Sequence, residues 1–245
     1  MAATLCMALQ AHWANAQHSD VWVILDGNQV ALSPTDLQTT EPVKVDATTG
    51  KYLFTSDFGE FFGGPFLTDD PGIQSQAGAF TAGARLNYRA VEPLKFWNGD
   101  YWDVSVPDAE RVLIEDSDFP QTITAVSTSG VTDAEGFIQE VFTNGSVHKH
   151  VDFRIDNSLG TDLPAFGAYM IELELVVVDA VGAVVHTASD PFRIVINFQL
   201  STEEYDEAVA ALTAPAVNVP IPGYALILLA VMLLLSRRIA VTVKA

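Results

Sequence analysis

The sequence predicts an all-β protein, an antiparallel β-sandwich of jelly-roll or Ig-like type, followed by a short helix and a C-terminal hydrophobic sorting helix. Segments in which apolar and polar residues alternate with period 2 recur along the chain, and turn residues separate them. The 245 residues are 49% hydrophobic, which is enough to bury one sizeable core. Strands with this spacing and turn chemistry are typical of two packed antiparallel sheets.

The predicted strands are short and are bounded by Gly, Pro, Asn and Asp. They lie at residues 20–26, 84–91, 94–97, 111–115, 122–128, 136–143, 147–155, 168–178 and 192–198, with a hairpin arm at 29–32. The segment 168–178 begins with alternation and ends almost continuously apolar, which is typical of a central strand. Residues 33–50 are polar, and we expect a loop with one weak strand there.

The segment 54–83 is rich in glycine, aspartate and phenylalanine and contains the turn sequence Asp70-Pro71-Gly72. It is long for a loop without secondary structure inside a domain. Either its aromatic rings pack as a satellite cluster or the segment covers a site, and we favour packing. The rings concerned are those of Phe58, Phe61, Phe62 and Phe66.

The predicted organisation is one globular domain between two targeting segments. Ser201 and Glu204 form a capping-box pattern, which predicts the start of a short helix after the last strand. The predicted boundaries are 1–16 for a signal peptide, 17–200 for the β-sandwich, 201–212 for a helical stem, 213–218 for a linker and 219–245 for a sorting signal with a transmembrane helix.

The N-terminal segment has the pattern of an export signal. An apolar run precedes Ala14-Asn15-Ala16, which fits the small-x-small rule for signal-peptidase cleavage, although no basic residues precede the run. The only cysteine, Cys6, lies in this segment. The mature protein therefore has no thiol, and a transition-metal site in it must use histidine and carboxylate ligands.

The C-terminal segment has three parts in a fixed order. Val219, Pro220 and Pro222 are followed by an apolar run at residues 225–235 and by the pair Arg237-Arg238. The run is short compared with the roughly 20 residues of a spanning helix, and the arginines favour a cytoplasmic C-terminal side. This order resembles the PEP-CTERM class of bacterial sorting signals. The resemblance implies export, membrane anchoring through the C-terminal helix, and transfer to the cell surface or exterior by a sorting and processing enzyme. The alternative is a plain C-terminal anchor.

The formal net charge of −19 limits the partners of the protein. An acidic surface repels nucleic acid and anionic lipid head groups, so we expect no nucleic-acid partner. A solvated acidic exterior is a simpler explanation than a calcium-binding design, because no EF-hand spacing is present.

The segment 146–155 contains the clearest candidate for chemistry. With period 2, valine, phenylalanine and isoleucine fall on one strand face, where only Lys149 is out of place. The other face holds His148, His150, Asp152 and Arg154. Side chains two residues apart on a strand are roughly 6.5–7 Å apart on one side, so two imidazoles can converge on one metal ion. Histidine is the commonest metal ligand near neutral pH. The alternative is two exposed histidines on a solvated sheet face.

A further ligand is needed, and His18 is the best candidate. Asp20, two positions later on the same face, or Asp152 is expected to support the three histidines as a ligand. A His-x-Asp strand that meets a His-x-His strand supplies nitrogen and oxygen ligands that suit zinc, and also copper, nickel or iron. We expect His186 to be a surface residue, because it lies in a loop of small and polar residues.

Several landmarks in order resemble a family of exported bacterial proteins with such sorting tails that are controlled by the zinc-uptake repressor. The landmarks are His18-Ser19-Asp20-Val21-Trp22-Val23, Asp69-Asp70-Pro71-Gly72, Leu94-Lys95-Phe96-Trp97-Asn98-Gly99, His148-Lys149-His150, Gly167-Ala168-Tyr169 and Ser189-Asp190-Pro191-Phe192. The recurrent histidines of that family fall on His18, His148 and His150. The resemblance implies that the protein holds or handles zinc.

The motifs of common enzyme classes are missing, since the sequence has no glycine-rich phosphate loop, HExxH or GxSxG. We therefore expect a protein that is not an enzyme. The predicted function is binding of a divalent metal, zinc, in metal handling or storage at the envelope. The alternative is a structural or adhesive component of the envelope or extracellular matrix. Proximity of His18 to His148 and His150 discriminates between the two.

Overall fold

The computed structural model describes residues 20–60, 64–103, 105–107, 109–116, 121–157 and 163–215. In these ranges the chain is mostly β-strand with one short helix, which confirms the predicted all-β class. The chain divides into two compact units, Met1–Ala214 and Pro215–Ala245, and every described strand and helix belongs to the first. The predicted signal peptide, half of the predicted linker and the sorting signal lie outside the described residues.

The described residues form seventeen strands followed by one helix. They are β1 (Val21–Asp26), β2 (Gln29–Leu32), β3 (Lys44–Val45), β4 (Tyr52–Asp57), β5 (Leu67–Thr68), β6 (Ile73–Ser75), β7 (Arg85–Ala90), β8 (Lys95–Trp97), β9 (Trp102–Asp103), β10 (Glu110–Glu115), β11 (Ile123–Ser127), β12 (Gly130–Thr132), β13 (Glu135–Glu140), β14 (His148–Lys149), β15 (Asp152–Asn157), β16 (Gly167–Val178), β17 (Phe192–Phe198) and α1 (Thr202–Thr213). No described helix combines the length and apolar composition needed to cross a bilayer.

The described strands form three sheets. The four-stranded sheet has the order β14-β6-β1-β2, and the five-stranded sheet has the order β12-β11-β10-β15-β5. The large sheet has the order β13-β7-β16-β17-β4-β3, with β8 paired to β16 and β9 to β8. The β1–β6 and β17–β4 pairs are parallel, so two sheets are mixed, whereas the sequence predicted antiparallel pairing throughout.

One hydrophobic core joins all three sheets. It includes Val23 from the four-stranded sheet, Ile114 and Phe153 from the five-stranded sheet, and Leu86 and Ile171 from the large sheet, all almost fully buried. These residues are the apolar members of alternating strands, so the period-2 pattern determines which face of each strand enters the core. Burial of one such side chain contributes about 1.5–3 kcal/mol.

Helix α1 covers the opposite face of the large sheet. Its Tyr205 and Val209 pack with Met170 and Val195, in a cluster separate from the main core. The Tyr205 hydroxyl donates a 2.7 Å hydrogen bond to the Val195 carbonyl. The predicted capping box at Ser201 is present, and the helix is part of the folded unit.

The segment 54–83 holds more regular structure than the sequence predicted. It begins inside β4, which pairs with β17 in the large sheet, and it contains β5 and β6. Phe58 and Phe66 do pack, with rings that contact Phe198, but they join the main core and do not form the predicted satellite cluster. Phe61 and Phe62 lie outside the described residues.

Candidate metal centre

The predicted strand at residues 147–155 is divided where the chain passes between two sheets. β14 pairs with β6 in the four-stranded sheet, and β15 pairs with β10 in the five-stranded sheet. The predicted alternation is nevertheless present, because Val147, Val151 and Phe153 are buried while His148 is exposed and His150 is half-buried. His150 therefore lies at the crossing point rather than in the middle of a strand.

Asp20 reaches the same place through β6, the strand between β1 and β14. Val21 is paired with Ile73 on β6, and Ile73 is paired with Lys149 on β14. Continuing both registers by one residue places Asp20, Gly72 and His150 side by side across three neighbouring chains. Neighbouring strands are about 4.8 Å apart, so the side chains of the two outer residues can converge over the central glycine.

The ligand atoms of Asp20, His148 and His150 all lie within 4.8 Å of one another. The two imidazole centroids are 5.7 Å apart, and their planes are inclined by 47°. The Asp20 carboxylate accepts hydrogen bonds from the Gly72 amide (3.2 Å) and from the Gln74 side chain (2.5 Å). These contacts orient the carboxylate towards the imidazoles.

Gly72 leaves open the space between two of these groups. A Cβ at this position would lie 2.7 Å from the His150 Nε2 and 2.9 Å from the Asp20 Oδ1. Real Cβ atoms essentially never approach other atoms so closely, so the two polar atoms can face each other only because residue 72 has no side chain.

A second group of carboxylates faces the other nitrogen of the His150 ring. The Nδ1 atom lies 2.9 Å from the Asp69 carbonyl oxygen and 3.4 Å from the Asp70 Oδ1. The ligand atoms of Asp69, Asp70 and His150 also lie within 4.8 Å of one another. His150 is therefore shared by two groups of potential ligands.

The charges of the carboxylates change the acidity of the site. The hydrogen bond to Asp70 raises the pKa of His150 to about 9, supported by Asp69 and Asp20 and opposed by burial. Burial raises the pKa of Asp20, against the opposing effect of the two imidazoles. The metal-free site thus favours a protonated His150, which balances part of the negative charge.

The remaining predicted site residues have different positions. Asp152 lies on β15 opposite Glu115, and among the described residues it belongs to neither group. Burial raises the pKa of Asp152, and repulsion from Asp69 and Glu115 adds to the shift. His18 lies outside the described residues. His186, predicted to be a surface residue, is partly buried, and its Nδ1 lies 3.2 Å from the Asn28 Oδ1.

Sequence reasoning did not assign a role at the site to Asp69, Asp70 or Gly72. Two signals marked these residues, the Asp-Asp-Pro-Gly turn sequence and its place among the landmarks of the family resemblance, and neither assigned them a role at the site. Comparison with protein-family models, curated proteins and solved structures found no match.

The residues present fit a borderline divalent cation. Two imidazoles and one carboxylate are ligands that zinc accepts, whereas calcium prefers six to eight oxygen atoms. Ligand atoms around a tetrahedral zinc ion are about 3.3 Å apart, given bonds of roughly 2.0–2.1 Å. The described atoms could reach that spacing by side-chain adjustments of about 1 Å.

Proposed function

We propose that this protein is an exported, surface-sorted β-sandwich of jelly-roll or Ig-like type that binds a divalent metal, zinc, in metal handling or storage at the envelope. The ligands are His148, His150 and Asp20, with His18 as the fourth. The convergence of Asp20 and His150 over Gly72, with His148 beside them, is the observation that carries the proposal.

The composition of the site supports zinc or a similar transition metal. No thiol is available once Cys6 is removed with the signal peptide, so nitrogen and oxygen atoms must hold the ion. The resemblance to proteins under zinc-uptake control supports the same choice of metal.

The position of Asp20 supports His18 as a fourth ligand. His18 precedes Asp20 by two positions, the spacing at which two side chains share one face of a strand. A fourth ligand would complete the tetrahedral set that zinc prefers in closed sites.

The two chain ends support the location. The signal-peptide pattern at 1–16 and the PEP-CTERM-like order at 219–245 imply export, anchoring by the C-terminal helix and processing by a sorting enzyme. The acidic composition of the chain is compatible with a soluble, cation-attracting surface.

A zinc titration of the full chain in mild detergent tests the proposal. Wild type should bind one zinc ion, and the His148→Ala/His150→Ala double variant should lose this binding. His186→Ala removes a partly buried histidine outside both ligand groups and serves as the control. Equal binding by wild type and the double variant would overturn the proposal.

A structural or adhesive role in the envelope or matrix is the second candidate. It is favoured by an exposed apolar hairpin, in which Val181 is 89% and Val184 is 61% exposed. Contact surfaces are marked by contiguous exposed apolar patches, and the two valines are close together in this hairpin. Substitution of both valines by serine should reduce attachment to cell-surface material if this role is correct, and zinc binding should be unaffected.

A further inference from the structure

The segment formed by Asp69, Asp70, Pro71 and Gly72 touches the candidate centre on two sides. It joins β5 in the five-stranded sheet to β6 in the four-stranded sheet, and it lies beside His150, where the chain makes the reverse passage. We propose that this segment builds the metal site: Asp69 and Asp70 position His150 so that Nε2 is its metal-binding atom, and Gly72 leaves the space that the ion occupies. The inference rests on the proposed function and adds positioning residues to it.

A hydrogen bond at Nδ1 selects the tautomer of His150. A backbone carbonyl oxygen can only accept a hydrogen bond, so the 2.9 Å contact with the Asp69 carbonyl requires a proton on Nδ1. In the neutral ring, Nε2 then carries the free lone pair. Nε2 is also the atom that faces Asp20 across Gly72. The hydrogen bond therefore selects the nitrogen that points towards the other ligands.

Asp70 lies behind the His150 ring, on the side of Nδ1. Its carboxylate oxygen lies 3.4 Å from Nδ1, beside the carbonyl contact. A carboxylate behind a metal-binding imidazole fixes the ring orientation and raises the basicity of the opposite nitrogen. Loss of such a partner typically weakens metal affinity by about 10–100-fold. Asp70 thus acts through His150 and does not itself need to touch the ion.

Gly72 leaves space between the ligand atoms of His150 and Asp20. An ion bound by both the His150 Nε2 and the Asp20 Oδ1 must lie between these atoms, and a Cβ at residue 72 would enter the same space. The backbone of Gly72 is outside the left-handed region, so alanine is compatible with its conformation. The atoms that such a Cβ would displace belong to side-chain ends, which can move without unfolding the sheet. Gly72→Ala is therefore a specific test of the ion position.

The experiment compares zinc affinities of the full chain in mild detergent for wild type, Asp70→Asn and Gly72→Ala. We expect about 10–100-fold weaker binding for Asp70→Asn and at least a comparable loss for Gly72→Ala. Asp190→Asn is the matched control, because it removes one carboxylate that contacts Gln29 and belongs to neither ligand group. Thermal unfolding in EDTA verifies that each variant is folded, and Asp70→Asn decides alone if Gly72→Ala is not.

A second readout separates positioning from a general structural effect. Long-range proton–nitrogen spectra of the 15N-labelled, zinc-loaded protein report which imidazole nitrogen carries the proton. We expect protonated Nδ1 and zinc-bound Nε2 at His150 in wild type, and a changed Nδ1 resonance in Asp70→Asn. A His150 ring that binds zinc through Nδ1 would overturn the proposal.

Different results would contradict the proposed function and the role of the Asp69–Gly72 segment. If wild type and the double-histidine variant bind zinc equally, the proposed function fails. If wild type binds zinc and the double-histidine variant does not, but Asp70→Asn and Gly72→Ala bind like wild type, only the role of the segment is overturned. Weaker binding by both variants, with unchanged binding by Asp190→Asn, supports it.

Discussion

Glu172 on β16 and Arg193 on β17 lie directly opposite each other in the large sheet, and both side chains are buried. The Arg193 Nε donates a 3.2 Å hydrogen bond to Glu172, and its guanidinium also pairs with the buried Asp46. Lys51 pairs with the same glutamate from the rim. Two cations thus balance two anions in a closed network.

Arg193→Met should destabilise the protein strongly, because it leaves Asp46 and Glu172 buried with only Lys51 for compensation. Removal of one partner of a buried ion pair costs about 3–5 kcal/mol. Chemical denaturation measures the change in the free energy of unfolding. Arg111→Met is the matched control, since the Arg111 and Asp156 side chains are 37% and 26% exposed, and ion pairs with such access to solvent contribute about 1 kcal/mol or less. Similar losses in the two variants would contradict the assigned role of burial.

The stability of the metal-free protein should fall as pH rises from about 6.5 to about 9 through the titration of His150. The folded-state pKa of about 9 lies above the ordinary value of 6.5, so the stabilising contribution is complete below 6.5 and is lost as pH passes 9. More than a third of the side chain is exposed, so solvent screens the effect. Melting temperatures in EDTA across this range measure it.

His150→Gln supplies the comparison for this pH dependence, because it keeps a polar side chain and removes the titrating group. The difference in melting temperature between wild type and this variant should shrink as pH rises. A constant difference from pH 6 to 9.5 would show that His150 does not titrate in this way.

Zinc should stabilise the folded chain, and the effect should grow with pH, because the ion must displace the proton of His150. At free zinc about 100 times the dissociation constant, linkage predicts about 2.7 kcal/mol, or roughly 5–10 °C in melting temperature for a chain of this size. Differential scanning calorimetry with and without zinc measures this shift. The His148→Ala/His150→Ala variant should show none of it, and an equal shift in that variant would place the ion elsewhere.

Ser201→Ala should weaken the attachment of α1 to the large sheet. The Ser201 side chain accepts a hydrogen bond from the Glu204 amide, and the Glu204 carboxylate accepts one from the Ser201 amide. Loss of such a cap costs about 0.5–2 kcal/mol. Denaturant unfolding measures the loss, and Thr202→Ala is a control one residue further on. An equal effect of both substitutions would argue against capping as the cause.

Local patterns predicted the elements whose signals lie close together in sequence. The hairpin arm β2 and the last strand β17 have the predicted bounds, and the capping box at Ser201 begins the predicted helix. The core face of β15 was predictable for the same reason, since alternation of period 2 requires only neighbouring residues.

The sheet order and the surroundings of His150 were not predictable from these patterns. β4 was missed because its local antiparallel partner, β3, has only two residues and lies in a polar segment, while its longer partner, β17, is parallel and remote in sequence. The contact between His150 and the Asp69 carbonyl joins residues 81 positions apart. The sequence predicted the two histidines and Asp20 as ligands. Only the fold shows that the Asp69–Asp70 turn lies behind the His150 ring.

The position of β6 between β1 and β14 determines whether folding or metal binding comes first. Residues 20, 72 and 150 become neighbours only when β1 and β14 have both joined β6, so no short piece of nascent chain can gather the ligands. A polypeptide that crosses a membrane unfolded would therefore reach the other side without a bound metal ion. If the proposed export and zinc binding are both correct, the chain would bind its ion in the compartment where it folds and not in the cytoplasm.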